Sequence, residues 1–197
     1  MDVRQFFMLR YAPVHVSVTE RLLGELSDAQ IRTRPVDGVN TVAWLVWHMC
    51  RGEDIAISRF VAHRAQLFFE EGWGERLNVS DPDLGVGMTA AEVADLSAKI
   101  DLDALRAYWT ALERRTGMIV DQLCPEALDE VNDPNYILHV VNEDRMFREA
   151  GRWGEGYWLE LPNRSKGYFL GYLGLTHLWV HYSEAMVTQS LLGHPGR

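Results

Sequence analysis

Four stretches of this chain repeat apolar residues every three or four positions, and no stretch alternates them convincingly. A period near 3.6 belongs to one face of a helix, whereas a half-buried strand needs a period of two. In the first stretch, residues 13–27, Val14, Val18, Leu22 and Leu26 recur every four residues, and Pro13 suits a first helical turn. The second stretch, "TVAWLVWHMCRGEDIAISRFVAH", follows Asn40. An Asn side-chain oxygen can cap a helix by accepting an otherwise unpaired amide. Trp44, Leu45, His48, Gly52 and Ile55 share one face of this helix. The third stretch, about residues 101–123, carries Leu102, Leu105, Trp109, Leu112, Ile119 and Leu123. The fourth, about 165–192, stops at Gly193, with Pro195 just beyond. Four long helices without strands predict an all-α fold, a four-helix bundle formed by residues 1–197 as one domain.

The long connections fall between helices 2 and 3 and between helices 3 and 4. "AQLFFEEGWGERLNVSDPDLGVGM", residues 65–88, reads as loop because of its glycines and Pro82. Its Phe68, Phe69, Trp73 and Leu77 favour burial over disorder. Thr89 and Glu92 form a capping-box pattern that opens a short helix. From 124 to 163, Pro125, Pro134, Pro162 and the run "GRWGEGYW" interrupt any period, with room for a short helix near 139–150. Long loops in a folded domain tend to carry function. The loop around Trp73 and the segment from Trp153 to Trp158 are therefore expected to frame a pocket mouth.

Composition excludes several functions. The formal net charge is −9 and the basic residues are scattered, so nothing resembles the basic patch of a nucleic-acid binder. No run of 18 uncharged apolar residues exists to span a membrane, and the N-terminus lacks a signal-peptide pattern. Two cysteines, Cys50 and Cys124, are too few for a disulfide scaffold, so a cytoplasmic location is expected. Cys50 reads as a small core residue. Among the 19 basic residues only Lys99 and Lys166 are lysines, a bias that hints at a GC-rich genome.

The fourth helix contains "GLTHLWVHYSE", residues 174–184. At 100° per residue, His177, His181, Glu184 and Thr188 share a narrow stripe, continued upstream by Leu170, Leu173 and Gly174. The other faces carry residues such as Tyr172, Trp179, Tyr182 and Met186, so the helix should be central or at a subunit interface. Two histidines four apart can aim at one ion, and they can equally be core histidines satisfied by hydrogen bonds. His48 lies on the apolar stripe of the second helix, with Gly52 one turn later to let another helix or a ligand approach. Metal sites in bundles are built from facing helices, and three histidines would leave a coordination position open. His15, His63, His139 and His194 have no comparable partner, and Glu53 and Asp54 read as a solvated face. Glu184 has two readings, a partner or general base beside His181, or a solvated carboxylate.

Three of these pieces in order, "NTVAWLVWHMCRGED", "GWGERLNVSDPDLGVGMTAAEV" and "HLWVHYSEAMVTQSLLG", resemble the DinB/YfiT-like superfamily. His48 stands where that family places its first metal ligand, and His177 and His181 at its H-x-x-x-H positions. The resemblance implies a four-helix bundle binding a divalent ion, Zn or Ni foremost, through His48, His177 and His181, often as a homodimer. It implies a small-molecule substrate without fixing one reaction. Members include thiol-dependent S-transferases that use mycothiol or bacillithiol, maleylpyruvate isomerase and hydrolase-like proteins. A mycothiol-type transferase or related hydrolase is the leading expectation, and a bundle that binds metal or ligand without catalysis is the alternative. "HYSEAM" departs from the Gly and Gln or Glu that many members place after the last histidine.

Overall fold

The computed structural model describes residues 1–160 and 164–194. Among them the regular structure is helical, apart from one isolated antiparallel bridge between Val131 and Ser165. Asp2 opens α1 (Val3–Ser17) with a reciprocal capping box: its side chain accepts from the Gln5 amide, and the Gln5 side chain accepts from the Asp2 amide. The helix thus starts well ahead of residue 13. Pro13 falls inside it, on the exposed face, where water can take up the carbonyl that proline leaves unpaired. A wide π-helical turn, Val18–Leu22, extends α1, and the short α2 (Asp28–Arg32) follows.

The cap of α3 (Val42–Asp54) is Thr41, not Asn40: Thr41 Oγ1 accepts from the Trp44 amide at 3.1 Å. Asn40 turns instead to Glu184. A second wide turn, Ile55–Val61, extends α3. The expected loop 65–88 contains two single-turn helices, α4 (Leu67–Glu70) and α5 (Trp73–Arg76). The Thr89–Glu92 box opens α6 (Ala90–Lys99), and Asp101 caps α7 (Leu102–Gln122). The segment expected to be irregular holds α8 (Pro134–Glu143) and α9 (Trp153–Glu160). Pro134 starts α8, because the first helical position needs no amide hydrogen. That helix replaces the one expected near 139–150. The last rod is α10 (Lys166–Gly171), a third wide turn at Tyr172–Thr176, and α11 (His177–Leu191). Gly193, at φ +88°, ends it by letting the Gly193 and His194 amides fold back onto the Ser190 and Gln189 carbonyls. Pro162 and Pro195 lie outside the described residues.

The long rods close on one another. α3 packs against α7 and α11, and α1 packs against the same two from the other side. α3 is the central member, with every residue from Val42 to Asp54 buried. α11, expected to be central or at a subunit interface, exposes Val180, Val187 and Leu191 and so is not enclosed by this chain alone. One expectation is corrected. Glu53 and Asp54 form no solvated face; both are fully buried. A helix enclosed on all sides has no outward face for a charge, so its charged residues must find partners inside.

They do. Glu53 joins three helices by accepting from the Tyr11 hydroxyl and, at 2.6 Å, the Thr116 hydroxyl, with His15 Nε2 at 3.0 Å from its other oxygen. Asp54 accepts from the Leu67 and Phe68 amides, which open α4, and from the Ser58 and Tyr108 hydroxyls. Arg51 donates to the Pro82 carbonyl, Gln66 and Tyr108, and its guanidinium lies 4.1 Å above the Phe68 ring. Burial and the neighbouring Asp54 hold the Tyr108 phenol protonated, its pKa well above the usual value. Burial likewise raises the Cys50 thiol, leaving an inert core residue as expected.

Candidate metal centre

His48 sits mid-way along α3, and His177 begins α11 directly after the third wide turn, with His181 one turn further on. The packing of α3 on α11 brings the three rings together. Their centroids are 4.7, 4.6 and 4.5 Å apart, with planes 56°, 88° and 69° to one another. The rings therefore converge without stacking. One ligand nitrogen from each lies within 4.8 Å of the others, and His48 Nε2 stands 3.0 Å from His177 Nε2. Zn–N bonds of about 2.0–2.1 Å separate two ligands of a tetrahedral ion by about 3.3 Å, so the widest spacing has to close by at most about 1.5 Å. Among the described residues, this is the group of histidine, cysteine and carboxylate side chains whose geometry could hold an ion.

The partners of the outer nitrogens decide which nitrogen is free. His48 Nδ1 donates to the Leu84 carbonyl, which can only accept, so the lone pair is on Nε2. His181 Nδ1 lies 3.0 Å from Glu184 Oε2. The hydrogen bond to His181 leads the causes that lower the Glu184 pKa, so the carboxylate is ionised and accepts from Nδ1–H, which leaves Nε2 as the nitrogen His181 can offer an ion. Asn40 Nδ2 donates to the other Glu184 oxygen at 3.0 Å. Burial, with His181 nearby, lowers the His48 pKa to about 4. Burial and the other two histidines push His177 well below its usual value. Neutral imidazoles held by a backbone carbonyl and a carboxylate are the form that ligates a cation. His177 Nδ1 is buried without a hydrogen-bond partner. The donor set and its supports fit a divalent ion.

Glu184 is placed behind His181, with both oxygens engaged, and it does not line the cavity described next. That position suits orienting His181.

A cavity of ≈ 540 Å³ opens over the histidines. Its walls come from α3 (Trp44), the end of the α5–α6 connection (Leu84 to Met88), the segment carrying Phe147, Trp153 and Gly154, and the third wide turn (Tyr172, Leu173). Trp44 stacks on His48 at 4.7 Å and 10°. The Leu84–Met88 segment is fastened where it reaches the site: the Leu84 amide donates to the Met146 carbonyl, and Arg148 pairs with Asp83 at 2.9 Å and Glu92 at 2.7 Å.

The profile of the DinB superfamily matches residues 15–185. The chain belongs to the DinB superfamily. A solved structure of a conserved protein from Enterococcus faecalis shares this DinB fold, with 22% identity and a TM-score of 0.71 over 98% of this chain and 99% of that one. No curated protein matches the sequence.

Within this DinB chain the two loops expected at the mouth behave differently. Trp153 lines the cavity and is exposed. Trp73 is buried against Tyr108, with Arg76 over its ring, and takes no part; the far end of its loop does. The Trp158 side chain lies outside the described residues. Tyr172, expected opposite the histidine stripe, lines the cavity because the wide turn that it opens shifts the helical register. The remaining histidines stay apart: His15 with Glu53, His63 with Asn132, His139 with Glu143 and His194 with Gln30. The Leu84 carbonyl could not be read from sequence, since any residue type supplies a carbonyl.

Gly52 has a steric reason. A Cβ there would lie 2.7 Å from His177 Cε1 and 3.0 Å from Nδ1. Gly52→Ala is expected to gain up to about 1 kcal/mol in helix propensity yet displace the His177 ring. Competition against a chromophoric chelator should show ion affinity falling about 10–100-fold, the usual scale for losing a ligand's support. Unchanged affinity would mean that ring placement does not depend on Gly52.

Proposed function

We propose that this protein is a metal-dependent enzyme of small molecules, with His48, His177 and His181 as ligands of one divalent ion, Zn or Ni, and that it transfers a low-molecular-weight thiol of the mycothiol type to an organic acceptor. The observation that carries this is the set of three imidazoles, two with their outer nitrogens held by protein partners, at the base of a mainly apolar cavity. A divalent ion bound there would stabilise a thiol, or a water, in its deprotonated form. The chain's own part is positional. Leu84 and Glu184 hold two ligand rings, Gly52 clears space for the third, and the apolar walls keep water from the acceptor. On transfer the thiol sulfur bonds to an electrophilic carbon of the acceptor, the leaving group departs with its electron pair, and the thiol proton passes to solvent.

The test is a thiol-conjugation assay on protein of known metal content, with a panel of electrophiles and, in parallel, ester and amide substrates. Conjugation lost on chelation and restored by the ion is the expected result. Hydrolysis alone would move the reaction to the related hydrolase class. Ion binding without turnover of either kind would support the non-catalytic reading. We also propose a two-fold homodimer, supported by exposed Phe6 and Leu9 on α1 and exposed Val180 and Val187 on α11, with Phe6 and Val180 lining one shallow groove. Light scattering should then report twice the 22.5 kDa of one chain. Among the described residues no helix is long and apolar enough to cross a membrane.

A further inference from the structure

The chemistry of the cavity walls narrows what it can admit. Among the described lining residues there is no Asp, Glu, Lys or Arg. Beyond the three histidines, the polar groups on the described lining side chains are Asn40, whose amide nitrogen is committed to Glu184, Tyr172, and the indole N–H groups of Trp44, which donates to Met88 Sδ, and Trp153. The nearby charges are held elsewhere. Glu184 lies behind His181, and Arg148 is paired with Asp83 and Glu92. The rest of the wall is apolar, with Trp44, Val86, Met88, Phe147, Trp153 and Leu173 among its side chains. Trp153 is 73% exposed, so a large aromatic surface at the mouth is left uncovered by the described chain.

A ligand can direct one coordinating atom at the histidines. A second anionic group on the same molecule, held away from the ion, would lose its hydration and find no cationic side chain among the described lining residues. A cationic group would meet no carboxylate among the described lining residues and would face the ion's own charge. An apolar body loses nothing on entry and buries both its own surface and that of Trp153.

We propose that the cavity takes an uncharged, largely apolar organic molecule the size of a substituted aromatic ring, lying against Trp44, Phe147 and Trp153 with a single reactive or donor atom toward the histidines. This rests on the metal-site reading for the orientation of the molecule, and on the walls alone for its apolar character.

Two thiols of one shape separate the possibilities: benzyl mercaptan and 4-(mercaptomethyl)benzoate, which differ by one distal carboxylate that cannot reach the ion bound by the sulfur. Each is titrated by tryptophan fluorescence or calorimetry into ion-loaded and chelated full-length protein. Benzyl mercaptan should bind at least about tenfold more tightly than the carboxylate analogue. Trp153→Ala, at an exposed position where folding is not at risk, should weaken benzyl mercaptan on the order of tenfold without changing ion content. If benzyl mercaptan is still preferred but binds no more tightly with the ion than without it, the apolar-ligand proposal holds and the metal reading fails. Equal or tighter binding of the carboxylate analogue, or an unchanged Kd in Trp153→Ala, would overturn the proposal even where the ion binds as expected.

Discussion

Replacing His177 by Ala is expected to reduce affinity for a divalent ion by more than about 100-fold, beyond the 10–100-fold that follows loss of a supporting group. The fold should survive. His177 Nδ1 is buried without a partner, so truncation removes an unsatisfied polar atom along with the packing of the ring. These effects oppose each other, and the metal-free variant should unfold within about 1 kcal/mol of the metal-free parent. Added ion should raise the melting temperature of the parent and not of the variant, because only a ligand that binds the folded state stabilises it. Thermal scans with and without ion, alongside a chelator competition, give both numbers. A variant that is stabilised by ion as strongly as its parent would remove His177 from the ligand set.

The largest expected effect on stability lies one turn from the site. Arg51→Met should cost about 3–5 kcal/mol, the range for breaking a buried ion pair from one side. The Arg51 Nη1 to Asp54 Oδ2 distance is 3.5 Å, and the guanidinium also serves the Pro82 carbonyl, Gln66 and Tyr108. Methionine fills similar volume but satisfies none of them. For a chain of this length the loss corresponds to a fall of about 6–20 °C in melting temperature. Pro82 lies two residues before Leu84, whose carbonyl orients His48, so ion affinity should weaken as well. Chemical denaturation of the metal-free protein measures the first effect. A loss under about 1 kcal/mol would show that this polar network is dispensable to the core.

What could be read in the sequence was what depends on one helix at a time. The apolar period located α7 to within a residue at each end, the Thr89–Glu92 pair opened α6, and Gly193 ended α11. His48, His177 and His181 stood out because an imidazole on an apolar helical stripe needs a partner, and the structure brings the three together. What escaped was set by other parts of the chain. The one-turn α4 exists where Asp54 accepts its first amides, a contact across 13 and 14 residues. Glu53 and Asp54 were assigned to solvent because one helical face normally is solvated. Yet Trp44, Leu45, Val46, Trp47, Met49 and Cys50 run around the whole of α3, and that was the sign of a helix enclosed on every side. The wide turns left no sequence mark, so the move of Tyr172 to the cavity side could not be foreseen.

The central claim is that three histidines from two helices hold one ion. Anomalous diffraction from crystals of the full chain grown with Zn or Ni tests it directly. The account predicts one strong anomalous peak per chain, about 2.0–2.2 Å from a nitrogen of each of His48, His177 and His181. A peak elsewhere, or no bound ion with the three imidazoles hydrogen-bonded to one another, would contradict it.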